Sequence, residues 1–139
     1  MKLKTQWIGA AVFGLAAAIV STTSFSHGDV TPQAVDTVSL KPLGEVILKE
    51  NPYRGDKAAV EVGSSAYNQN CARCHGLEAV SGGIAPDLRK LEIDKETDEY
   101  FLNSVLRGKV RNGAVYMPPY GGILNQEAIW AIKAYLETR

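Results

Sequence analysis

Five consecutive residues, Cys71-Ala72-Arg73-Cys74-His75, carry the densest chemistry in this 139-residue chain. Two thiols three positions apart can each add to one vinyl group of a haem, and the histidine beside the second thiol is then held under the iron as a ligand. Three other uses of the same residues are weaker. A redox dithiol of the C-x-x-C kind needs a βαβ setting, and nothing here alternates strand with helix. Zinc takes three or four Cys, His or carboxylate ligands, whereas the whole chain has two Cys and two His. A disulfide at this separation on a helix has poor geometry and leaves the adjacent histidine unexplained.

The chain also has two methionines, and Met1 belongs to the leader described below, so Met117 is the lone thioether of the mature protein. A lone Met is commonly core filler. This one lies in Tyr116-Met117-Pro118-Pro119-Tyr120, where a double proline stiffens the backbone and can aim a side chain at the iron, opposite His75. Iron with His on one face and Met on the other has no vacant position, and electron transfer is what remains. If Met117 only packs, the iron is open and an enzyme or gas sensor follows. Such chemistry would want a distal His or Arg, and the other histidine, His27, sits at the expected mature N-terminus. Arg54 and Arg89 could each pair with a haem propionate or stay solvated. Tyr116, next to Met117, is a further candidate for the pocket.

These residues need elements to position them. Lys2 and Lys4, the apolar run from Ile8 to Val20 and the small residues ending at Ser26 follow the order of a secretory signal peptide. The run is too short for a spanning helix, which needs about 20 apolar residues. Residues 1–26 are therefore expected to be removed, leaving a soluble periplasmic protein without stable membrane insertion. Residues 27–55 read as an arm interrupted by Pro32, Pro42 and Pro52. It either wraps the domain, with Tyr53 or Arg54 reaching a propionate, or is a solvated leader, and only Leu43 to Lys49 could form a short helix. Residues 56–139 form the domain proper. Asp56 caps a first helix in which Val60, Gly63 and Tyr67 recur at helical spacing. Thr97 or Asp98 starts a second, with Tyr100, Phe101, Val105 and Leu106 inside it and Gly108 ending it. Asn125 caps a third, whose Ile129, Ile132 and Leu136 make a broad apolar face. Lys109 to Gly122 reads as irregular, and no strand pattern appears. The class is all-α.

A domain this small has a thin core, so a buried macrocycle would supply much of its apolar surface. The 15 basic and 15 acidic residues cancel, and loss of Lys2 and Lys4 leaves about −2, which argues against nucleic acid as a partner. Arg73 and the run Arg107, Lys109 and Arg111 form a basic patch, either a docking face or solubilising charge.

From Asp56 to Arg139 the chain resembles the class I cytochromes c. The resemblance places the haem-attachment motif on Cys71, Cys74 and His75 and the sixth ligand on Met117, and it makes Pro86 the acceptor for the proximal imidazole. It implies three main helices wrapped around one covalently attached haem c per chain, and a close crossing of the first and last helices through Gly63, Tyr67, Ile132 and Tyr135. A narrower resemblance covers the 27–37 arm, Asn68-Gln69-Asn70 and Asn125 to Trp130. It is to soluble periplasmic cytochromes that accept electrons from pyrroloquinoline-quinone-dependent ethanol dehydrogenases. It implies a quinoprotein alcohol dehydrogenase as donor and a respiratory-chain acceptor, such as a terminal oxidase or another cytochrome. A haem c subunit of a larger dehydrogenase is the alternative. Covalent attachment is checked by denaturing electrophoresis stained for haem peroxidase activity: the stain is expected at the mature mass, and acid–organic extraction is expected to leave the pigment on the protein.

Overall fold

The computed structural model describes residues 31–139. The expected leader, its cleavage point and His27 lie outside the described residues. Three main helices frame the domain: α1 (Lys57–Asn70), α3 (Lys95–Arg107) and α4 (Gln126–Leu136), with the four-residue α2 (Ala72–His75) following α1. The all-α class holds, with one small sheet besides.

Helix α1 starts where Asp56 Oδ1 accepts the Ala59 amide at 3.1 Å. It buries Ala59, Gly63, Ala66, Tyr67 and Asn70, one stripe at intervals of three and four. Asn125 caps α4 in the same way, accepting from Ala128 N at 2.9 Å. The two helices cross almost in backbone contact. A Cβ on Gly63 would lie 1.9 Å from the Ala131 carbonyl oxygen and 3.0 Å from Ile132 N. One turn on, the Tyr67 and Tyr135 rings fill the crossing with centroids 5.4 Å apart. The crossing thus runs through the residues the sequence pointed to, with Ala131 supplying the backbone nearest Gly63.

Helix α3 begins earlier than expected. Its cap is Asp94, whose carboxylate accepts from Thr97 N at 2.7 Å, and neither Thr97 nor Asp98 starts it. Asp98 is occupied elsewhere. Fully buried, it binds Arg54 Nη2 at 2.7 Å and faces Lys133 Nζ at 3.4 Å. Lys133, itself 1% exposed, also reaches Glu137 at 3.1 Å, and Arg54 Nε meets the second oxygen of Glu137 at 3.1 Å. Two cations and two carboxylates are therefore gathered where the arm, α3 and α4 meet.

The described part of the arm, residues 31–55, lies along the domain with Leu40, Asn51 and Tyr53 buried. The short helix expected over Leu43 to Lys49 is absent. Its backbone groups are spent across the gap to α4: Leu43 N donates to Glu127, Leu48 N to Gln126, and the carbonyls of Gly44 and Val46 accept from Gln126 Nε2. Tyr53 and Arg54 have partners within the protein: the Tyr53 hydroxyl donates to the Lys41 carbonyl and Arg54 belongs to the charge cluster.

The expectation of no strand is overturned by a hairpin of β1 (Lys109–Arg111) and β2 (Ala114–Met117), paired antiparallel with Val110 opposite Val115. Its turn is Asn112-Gly113, with φ of 51° and 77°. Asn-Gly is the strongest short hairpin signal because both residues accept positive φ; the flanking strands are too short for an alternation to stand out.

The α1–α4 crossing generates a stability test. Gly63→Ala drives a methyl into backbone that no side-chain rotation can clear, so a loss of about 3 kcal/mol is expected, at the upper end of overpacking costs. Thermal unfolding followed by far-UV circular dichroism measures it; an unchanged midpoint would contradict the contact.

Candidate haem site

The five-residue motif sits where α1 gives way to α2. Cys71 ends α1, its amide bonding the Tyr67 carbonyl, and Ala72–His75 make one further helical turn. Gly76 then turns the chain sharply at φ 82°, where an added Cβ would lie 1.9 Å from the Val80 carbonyl oxygen. The Tyr67 hydroxyl donates to the Gly76 carbonyl at 2.7 Å. Burial raises the Tyr67 phenol well above its ordinary range, so it stays a protonated donor. Cys71 and Cys74 are not joined as a disulfide, and both are partly buried.

His75 Nδ1 lies 2.9 Å from the Pro86 carbonyl oxygen. A carbonyl can only accept, so Nδ1 carries the proton and Nε2 keeps its lone pair for a metal. The loop that brings Pro86 there is braced internally. Ser81 Oγ donates to the Ala85 carbonyl and accepts from Gly83 N. Asp87 caps the turn Leu88–Lys90 and grips the Arg89 guanidinium at 3.0 and 2.6 Å. That bond from Arg89 holds the Asp87 carboxyl down to about 2. Arg89 is thus folded back onto Asp87.

Met117 ends β2, half-buried, while its neighbour Tyr116 is exposed. The loop around it is pinned on both sides. At Gly108 an added Cβ would lie 2.3 Å from the Met117 carbonyl oxygen, and Tyr120 N and Gly121 N donate to the carbonyls of Val105 and Leu106 at the end of α3. The buried Tyr120 hydroxyl donates to Asn70 O at 2.7 Å, next to Cys71. Burial pushes this phenol up to about 12. Tyr120 therefore brings the Met117 loop to the same end of α1 that carries the cysteine motif.

Tyr120 and Asn70 were not singled out from sequence. A buried phenol usually finds an acceptor, which could have marked Tyr120 behind the double proline. No such signal marks Asn70, whose side chain receives Gln33 N of the arm at 2.7 Å.

The surroundings fit a large apolar group. Leu77, Val80 and Ile84, on the loop between His75 and Pro86, are 73%, 50% and 82% exposed. Three large apolar side chains so close in sequence call for a cover. Two thiols, an imidazole with a free Nε2 and a thioether are the donor set for a c-type haem.

The comparisons agree. The sequence model of the family described as "Cytochrome C oxidase, cbb3-type, subunit III" matches residues 58–136. Cytochrome c550 of Pseudomonas aeruginosa is 59% identical over 128 residues, spanning 89% of this chain and 88% of that protein. The quinohemoprotein alcohol dehydrogenase ADH-IIG of Pseudomonas putida is 39% identical over 84 residues, 60% of this chain but 11% of the enzyme. A solved structure of that dehydrogenase superposes with a TM-score of 0.50 at 35% identity, covering 69% of this chain and 14% of the other. Cytochrome CL of Methylophaga aminisulfidivorans superposes with a TM-score of 0.52 at 23% identity, covering 76% and 77%, a likeness of fold alone. The chain belongs to the class I cytochromes c and carries one covalently bound haem c. Within that family it is similar over nearly its whole length to a cytochrome c550. No helix among the described residues is long and apolar enough to cross a membrane.

Proposed function

We propose that this cytochrome is a periplasmic electron carrier, not an enzyme, which takes electrons from a quinoprotein alcohol dehydrogenase and passes them to a respiratory-chain acceptor such as a terminal oxidase or another cytochrome. The observation that carries the donor is the match to ADH-IIG, in which a segment 39% identical to this chain makes up 11% of a quinohemoprotein alcohol dehydrogenase. A cytochrome with the same design suits an enzyme of that chemistry that must hand its electrons to a separate protein. The expected signal peptide supports export.

Cys71 and Cys74 would hold the haem through thioethers, and His75 Nε2 and the Met117 sulfur would bind its iron. The haem, when bound, supplies a reversible one-electron store. The chain's own groups set its terms. The Pro86 carbonyl fixes the His75 ring and tautomer and strengthens donation from Nε2. A soft thioether from Met117 favours the reduced form and raises the potential. Gly108 and the pair Pro118-Pro119 hold the backbone at Met117 in one place, so that neither oxidation state would require the loop to move. Arg89 and Tyr116 would flank the haem rim, Arg89 exchanging Asp87 for a propionate.

Two measurements test this reading. Met117→Ala is expected to let the ferrous protein bind carbon monoxide, which the unmodified protein resists, and to lower the potential; ready binding by the unmodified protein would indicate an open iron. Mixing the oxidised protein with a purified quinoprotein alcohol dehydrogenase and ethanol is expected to reduce the haem without an artificial mediator. If no such enzyme reduces it while the His/Met spectrum is intact, the donor is of another class.

A further inference from the structure

The β1–β2 hairpin has features that haem binding does not use. Residues 107–120 contain Arg107, Lys109 and Arg111 and no Asp or Glu. Because the whole chain balances to zero, the rest of it carries −3. Arg107 and Arg111 are exposed, and among the described residues neither forms an ion pair. Lys109 is engaged differently, with its ammonium 4.6 Å from the centre of the Tyr100 ring, a contact that holds the hairpin against α3.

Val110 and Val115 stand opposite each other across the hairpin, so their side chains share one face. They are 67% and 64% exposed. Isolated two-stranded hairpins are marginal, but this one is clamped at its base, where Gly108 meets the Met117 and Pro118 backbone. The result is a stiff projection with an exposed apolar pair on one face and Arg111, the next residue along β1, on the other, joined directly to the segment that carries Met117.

We propose that this hairpin is the surface on which the electron-donating protein docks, and that the donor presents a small apolar patch bordered by carboxylates. The inference rests on the carrier reading above and adds the contact face to it. Charge favours that occupant over a second copy of this chain. Two like hairpins would bring their arginines together, whereas carboxylates at the edge of the donor's patch would pair Arg107 and Arg111, whose long side chains reach past a ribbon two strands wide, and let Val110 and Val115 exclude water at the centre. A small contact of this kind gives rapid association and rapid release, which a carrier needs.

Stopped-flow reduction of the haem by a quinoprotein alcohol dehydrogenase with ethanol, over a range of ionic strengths, tests the proposal. Arg111→Glu and Val110→Ser are compared with wild type and with Lys57→Glu, which changes net charge equally at an exposed site at the start of α1. Haem spectrum and resistance to carbon monoxide serve as checks that each variant is folded and ligated. Arg111→Glu is expected to slow association roughly tenfold at low salt and to flatten the salt dependence. Val110→Ser is expected to slow it as well while leaving the salt dependence unchanged. A rate retained by either hairpin variant, or a loss matched by Lys57→Glu, overturns the proposal. If the dehydrogenase fails to reduce even the wild type, the donor reading fails on its own. The hairpin is then judged with hexacyanoferrate(II), a small anionic reductant: slower reduction of Arg111→Glu than of Lys57→Glu supports it, and equal rates overturn it.

Discussion

The approach of α1 to α4 at Gly63 is the constraint on which the rest of this cytochrome depends. Helix axes normally stay 8–10 Å apart because side chains intervene. Here a glycine removes the obstruction and the Ala131 carbonyl fills its place. Tyr67 and Tyr135 lock the angle, and α1 thereby delivers its C-terminal end, with the cysteine motif, at one fixed position. In a domain with so thin a core, this crossing replaces the bulk packing that larger proteins use to hold a site.

The charge cluster has a second structural role. Asp98, Lys133 and Glu137 are almost wholly withdrawn from water, and Arg54 closes the group from the arm side. Such a group contributes little net stability by itself, since desolvation offsets attraction. Removing one member would leave its partner buried without compensation, so the cluster fixes which segments meet. Together with the bonds from Gln126 and Glu127 to the arm, it makes residues 40–54 part of the folded domain.

Much of this was legible in the sequence because the informative features are local. A five-residue motif, three helices, two of them with the caps expected at Asp56 and Asn125, and a single thioether before two prolines all lie within short windows. What was missed depends on partners far along the chain. Nothing near Asp98 says that it will face Lys133 and Arg54, so it looked like a helix cap, and Asp94 took that place. Nothing near Leu43 to Lys49 says that its amides and carbonyls will be used by α4, so a helical turn was expected there. The hairpin is the exception: Asn112-Gly113 was a local signal, overlooked because strands of three and four residues show too little alternation to register.

Two phenols set the geometry of the site in a way that neither ligand does alone. Tyr67 bonds the Gly76 carbonyl just past His75, and Tyr120 bonds the Asn70 carbonyl just before Cys71 from the loop that carries Met117. Both sides of the proposed haem seat are therefore measured from one datum, the last turn of α1. Motion of that turn carries the two sides together as common drift and leaves the gap between them unchanged, as two jaws mounted on a single rail keep their opening when the rail shifts.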